Sequence, residues 1–120
     1  LANKEVKEML YNVNKDNLVL ENIKLANGFL QKFKGLMGRK KLGKSEGLML
    51  LSCNSIHTCF MRFPIDVLFL NMDHEVIALR KGVRPWRMVN FIKKAYITVE
   101  MAEGTIENKN IEVGDLLIMK

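Results

Sequence analysis

Cysteine is scarce in this chain. Cys53 and Cys59 are the two in 120 residues, too few for a disulfide framework and without the CxxC pairing of a zinc knuckle or thioredoxin-type site. Proline is as scarce: Pro64 and Pro85 stand alone, which excludes proline-rich linkers and makes each of them a specific break in the chain. No apolar run approaches the ~18 residues that cross a bilayer as a helix, no stretch reads as a signal peptide, and no repeat or low-complexity tract divides the sequence. At 48% hydrophobic content, the chain suits one core that buries roughly two-thirds of the unfolded surface and is too short for two. A single domain over residues 1–120 is therefore expected, with residues 1–8 a flexible or helical extension. The chain begins at Leu1 rather than Met, the start expected of a trimmed or processed product and compatible with loss of an upstream targeting segment.

Acid is missing from two stretches, and these produce the formal net charge of +6. Lys32, Lys34, Arg39, Lys40, Lys41 and Lys44 form one basic run; Arg80, Lys81, Arg84, Arg87, Lys93 and Lys94 form another between Glu75 and Glu100. The C-terminal part reverses sign. Such runs are the footprint of an anionic-polymer or nucleic-acid partner, but solvated basic faces are common in small domains, and no nucleic acid is expected here. Binding of that kind would have to weaken steeply with salt.

Alternating β-favouring residues predict strands over Met9–Val13 and Leu18–Ala26 around an Asn14–Asn17 turn. From Asn27 the apolar period becomes helical through Phe29, Leu30, Phe33, Leu36 and Met37, with Asn27 as N-cap and Gly38 as stop. Further strands are expected over Glu46–Leu51, through the segment from Ser55 to Leu70, over Val76–Leu79 and Ala95–Met101, and over Ile111–Ile118 with a turn at Gly114–Asp115. Lys81–Arg87 reads as a loop and Thr105–Asn110 as one helical turn. Many short strands with one clear helix and no βαβ rhythm predict an α+β domain: a mostly antiparallel small sheet, or a partly closed barrel, with one or two short helices.

The segment Ser55 to Leu70, SIHTCFMRFPIDVLFL, is the most informative stretch. It places His57, Arg62 and Asp66 in an apolar run, and charges buried without partners cost several kcal/mol. Strand alternation sorts Ile56, Thr58, Phe60 and Arg62 to one face and His57, Cys59, Met61 and Phe63 to the other, until Pro64 interrupts the phase. His57, Cys59 and Met61 would suit a copper ion, but recurring ligand spacing is absent, so no metal and no cofactor is assigned. Residues i and i+2 on a strand stand about 6–7 Å apart, too far for His57 to activate Cys59, and both cysteines read as small core hydrophobes. Arg62 is expected at least half-buried in a bidentate pair with Asp66, or lining a cleft with Trp86 and Arg87 that takes an anionic or planar ligand. Trp86, the only tryptophan, lies between basic residues in a proline-containing loop, where packing alone gives little reason for it.

These motifs also carry a resemblance. GLMGR at 35–39, EGLML at 46–50, IHT at 56–58, FMRFPIDV at 60–67, PWR at 85–87, VEM at 99–101 with Gly104-Thr105, and VGD at 113–115 are similar to the domain of unknown function 192 family, the uncharacterised conserved ACR proteins. Cys59 stands where that family usually has an aromatic or small residue. The resemblance implies a compact β-rich α+β domain, often encoded behind a signal peptide or lipoprotein-type leader. It makes His57, Arg62, Asp66, Trp86, Arg87, Glu100 and Asp115 the polar signature without assigning roles.

The expectation is thus a monomeric binding or accessory module, exported or envelope-associated, although a cytoplasmic location stays open. Its small-molecule or protein partner is undetermined. His57, Arg62, Trp86 and Arg87 should line one concavity, with Glu100 or Asp115 at its rim. A hydrolase pairing His57 with Asp66 or Glu100 is the enzyme alternative, and anionic-polymer binding through the basic runs is the other.

Overall fold

The computed structural model describes residues 8–27 and 36–120. Strands β1 (Glu8–Asn12) and β2 (Asn17–Ala26) form the expected hairpin, with Asn12 opposite Asn17 and Asp16 in the left-handed region at φ 52°. β3 (Glu46–Leu51) pairs with β2 in parallel, and β4 is only Ile56–His57. β5 (Ile65–Leu70), β6 (Val76–Val83), β7 (Met88–Val89) and β8 (Ile97–Ala102) follow; then come one helical turn, α1 (Thr105–Asn108), and β9 (Leu117–Met119). The main sheet runs β6-β5-β8-β3-β2-β1-β9, and β4 pairs with β7 as a separate two-stranded ribbon.

The sheet curls until its two ends meet. Glu75 bridges Leu116, the Val76 N–H donates to the Asp115 carbonyl at 2.9 Å, and the Leu117 N–H donates to that of His74 at 3.0 Å. Contacts at one end only make a partly closed barrel, which satisfies edge groups that an open sheet leaves exposed. Strand alternation then divides the core in two. Leu10, Leu20, Met49, Leu68, Leu70, Val99 and Met101 pack on the inner face, whose end is plugged by Ile106 of α1. Leu48, Leu50, Ile65, Val67 and Phe69 form the outer face, covered by Ile56 and Met61. The outer core is therefore roofed by the segment that the sequence marks as distinctive.

Several expectations change. The helix expected from Asn27 to Gly38 falls mostly outside the described residues, as does the extension apart from Glu8; helix is limited to α1 among the rest. The stretch from Thr58 to Pro64 is not strand: Phe60 sits at φ 64°, and bends replace the ladder. Backbone hydrogen bonds to the loop after β6 outcompete strand pairing there, so the expected two-face alternation does not exist. Residues 81–83 extend β6 rather than opening the loop, and the last strand is confined to Leu117–Met119 because Gly114 at φ 99° turns the chain just before it.

Candidate functional site

Thr58 is the hinge pin of the distinctive segment. Fully buried, it donates its N–H to the Arg87 carbonyl at 2.8 Å and its hydroxyl to the Arg84 carbonyl at 2.6 Å. The same hydroxyl accepts the Arg87 N–H at 2.8 Å, and the Thr58 carbonyl accepts the N–H groups of Trp86 and Met61. The PWR loop is thereby clamped over the segment, and the β4–β7 pairing of Ile56 with Val89 and His57 with Met88 continues the clamp. Nothing in hydropathy distinguishes Thr58 from a strand threonine, so the sequence offers no signal for this role. Replacing Thr58 with Val keeps the shape and strands two loop groups, and should destabilise the fold by about 1–3 kcal/mol in denaturant titration; an unchanged midpoint would mean the clamp contributes nothing.

The clamp presents aromatic rings to solvent. Trp86 is 59% exposed and Phe60 58%, with their ring centroids 4.7 Å apart. Both residues have left-handed backbones, at φ 63° and 64°, a conformation costly for bulky side chains that persists only when the surroundings impose it. Arg62, Arg84 and Arg87 are exposed around them. The expected burial of Arg62 against Asp66 is therefore wrong: once the strand ends at His57, Arg62 can reach water, and no carboxylate pairs with it among the described residues. His57 is half-buried and accepts the Cys59 N–H on Nδ1 at 3.2 Å.

Asp66 has other partners. Its carboxyl accepts the N–H of Gly82 on one oxygen at 2.9 Å, and those of Gly104 and Ile106 on the other at 3.1 and 2.9 Å. Opposite it lies a β-bulge: Ile65 pairs with Val83 and Val67 with Arg80, leaving Lys81 and Gly82 facing one residue. Gly82 has φ 60°, a conformation that favours glycine at the bulge, whereas the Glu103 carboxylate 2.7 Å from where a Cβ would stand is the end of an exposed side chain that can shift. Asp66 thus ties the bulge to the start of α1. Above it opens a concavity of about 420 Å³ whose lining includes Pro64, Lys81, Arg84, Glu103 and Glu107. Lys81 and Glu107 form an exposed ion pair across it at 3.3 Å. Neither His57 nor Trp86 lines this hollow; it joins the aromatic platform only through Arg84, whose carbonyl holds Thr58.

The two carboxylates expected at the rim lie elsewhere. Glu100 sits between Leu48 and Val67 on the outer sheet face, buried, with Oε1 lacking a hydrogen-bond partner among the described residues. Desolvation by burial pushes its carboxyl up to about 8. Asp115 belongs to the β1–β9 end, where it accepts from the Asn12 amide, Lys15 and the Glu112 N–H. Burial would raise its pKa, but those hydrogen bonds hold it below the ordinary carboxylate value. Of the seven expected site residues, His57, Arg62, Trp86 and Arg87 share the clamped segment and its loop. Asp66 lies at the neighbouring hollow, Glu100 is buried in the outer core that Ile56 and Met61 cover, and Asp115 is in a separate network.

Fold and site together define a small curled-sheet module with a clamped aromatic and arginine surface. The chain belongs to the domain of unknown function 192 family, described as uncharacterised ACR, which it matches over residues 11–119. It is 36% identical over 111 residues to a UPF0127 protein of Pyrococcus furiosus, covering 90% of this chain and 95% of that one. A UPF0127 protein of Thermococcus sibiricus is 34% identical, with coverage of 89% and 71%. The fold is shared with a crystal structure of a protein of unknown function from Novosphingobium aromaticivorans, at TM-score 0.81 and 20% identity, covering 94% of this chain and 84% of that one.

Proposed function

We propose that this protein is a binding module whose ligand is anionic and carries a planar group, seated on the Phe60–Trp86 pair and read by Arg62, Arg84 and Arg87. The observation that carries this reading is the pair itself: two aromatic rings in tilted contact, each more than half exposed, on left-handed backbones beside the hydrogen bonds of buried Thr58. Hydrophobic burial does not account for rings left in water, and strain maintained by a rigid support is the usual mark of a surface selected for contact. Guanidinium groups supply fork-shaped hydrogen bonds to carboxylate or phosphate and stack on rings. The envelope location implied by the family resemblance is part of the same proposal, tested by fractionating cells that express the full reading frame.

Trp86 is the chain's single tryptophan, so its fluorescence reports on the platform directly. Titration with aryl phosphates, aryl carboxylates and nucleoside phosphates should shift its emission for at least one class. Trp86→Ala should abolish that ligand's binding while changing stability by less than about 1 kcal/mol, the range of exposed positions. Unfolding by the substitution would favour a packing role, and an unresponsive tryptophan across all three classes would overturn the proposal.

A further inference from the structure

Beyond the Phe60–Trp86 pair, the loop carrying Trp86 continues into a second set of exposed apolar side chains. Val89 and Ile92 turn inward and pack on the outer core, while Met88 and Phe91, each directly preceding one of them, are 69% and 65% exposed. With Phe60 against Trp86 and Met88 opposite His57, four large apolar side chains are exposed along the clamped segment and its loop. Monomeric domains rarely leave such a cluster uncovered without an interaction to explain it. Its own charges are basic: Arg84, Arg87, Lys93 and Lys94 are exposed in a stretch with no acid between Glu75 and Glu100, and Glu103 and Glu107 approach it only at the Arg84 end, where they share the hollow. The Gly38 N–H, donated to the Phe60 carbonyl at 3.2 Å, brings the later part of the other basic run close to the same segment, where Arg39 pairs with Glu46 at 3.0 Å and Lys40 and Lys41 follow it.

From this juxtaposition we infer that the strip from Arg84 to Lys94, with Phe60, docks on an anionic lipid bilayer surface. Charge complementarity selects an anionic occupant. The apolar members select lipid over a polynucleotide: Met88 offers no π-face for a base, whereas tryptophan, phenylalanine and methionine together fill the boundary between headgroups and acyl chains. Neither the hollow above Asp66 nor a second one on the far side of Glu103, lined by Lys44, Ser45 and Thr105, includes any of the four. Each of the four is more than half exposed, so they project from the surface among the described residues. In the docked state Trp86 and Phe91 enter the interfacial layer while the lysines and arginines stay at the phosphates, each basic group strengthening attachment about fivefold.

The inference rests on the proposed function only through Trp86 and its neighbouring arginines, and the experiment separates the two. The protein is sedimented with vesicles of phosphatidylcholine alone or mixed with phosphatidylglycerol, and Trp86 emission is followed with lipids brominated in the acyl chain. Sedimentation with the anionic vesicles only, weakened by salt and accompanied by bromine quenching of Trp86, is the expected result. Lys93→Gln with Lys94→Gln should lower the partition coefficient about thirtyfold. Met88→Ser with Phe91→Ser should abolish quenching while sparing the Trp86 response to a soluble aromatic anion. Absence of sedimentation with anionic vesicles at low salt overturns the inference, as does charge-only attachment without quenching, or retention on single-stranded oligonucleotides in place of vesicles. A soluble-ligand response without vesicle binding would sink this inference alone; vesicle binding without any soluble-ligand response would sink the proposed function alone.

Discussion

Asp66→Ala should destabilise this protein severely, lowering its unfolding free energy by on the order of 4 kcal/mol or more. The side chain is buried, and its oxygens satisfy three backbone N–H groups from two different elements. Removing an acceptor leaves each buried donor with a desolvation penalty of about 1–3 kcal/mol, and hydrogen bonds to a carboxylate lie at the strong end of the range. Two of those donors, Gly104 and Ile106, open α1, whose Ile106 plugs the inner core, so the loss propagates into packing. Asp66→Asn retains one acceptor oxygen of the two and should cost roughly half as much. Denaturant titration of both variants checks this. Equal and small losses would mean that solvent replaces the carboxyl and that the bulge and helix are held by other contacts.

The second large effect is in pH. Glu100 has its folded-state pKa raised from 4.5 to about 8, because burial among Leu48, Val67 and the outer core desolvates the charged form. Below 4.5 both folded and unfolded chains carry the proton, and Glu100 contributes nothing to the pH dependence. Between 4.5 and 8 the unfolded chain releases the proton and the folded one keeps it, so stability falls with rising pH, by up to ~1.4 kcal/mol per unit. The accumulated loss by pH 8 is on the order of 4 kcal/mol. Glu100→Gln removes the titration without changing the shape. The variant and wild type should therefore be similar in the acid range and diverge as pH rises, with the variant the more stable by a few kcal/mol once the folded-state pKa is reached. Parallel pH profiles would show that Glu100 titrates normally.

Both effects come from acids that stand out in the sequence, and neither acid does what the sequence suggests. A buried carboxylate requires compensation, which makes Arg62 the natural partner for Asp66. The requirement holds, but backbone N–H groups of Gly82, Gly104 and Ile106 meet it. Such donors have no signature in the chain, since every residue but proline carries one. Arg62 escapes burial because the strand stops at His57, ahead of a threonine whose hydroxyl and backbone bind a loop nearly thirty positions away.

What the sequence determined by itself were features set by neighbours along the chain. These include the β1–β2 hairpin, the strands at Glu46–Leu51 and Val76–Leu79, the helical turn after Gly104, the β-rich partly closed sheet, and the distinctiveness of the Ile56–Asp66 segment and the PWR loop. Periodicity and turn chemistry act over a few residues, and they are written in order. Tertiary structure alone decided the rest: the parallel seating of β3 on β2, the joining of the sheet's ends at Glu75 and Leu116, the Thr58 clamp, and the placement of Glu100 in the outer core and of Asp115 beside Asn12 and Lys15. Each of these depends on which backbone groups meet across tens of residues. Hydrogen bonding at that range is governed by the packing of two core faces rather than by any local pattern, so the same polar residues became, once folded, a cap, a buried acid, an end-closing carboxylate and an exposed arginine.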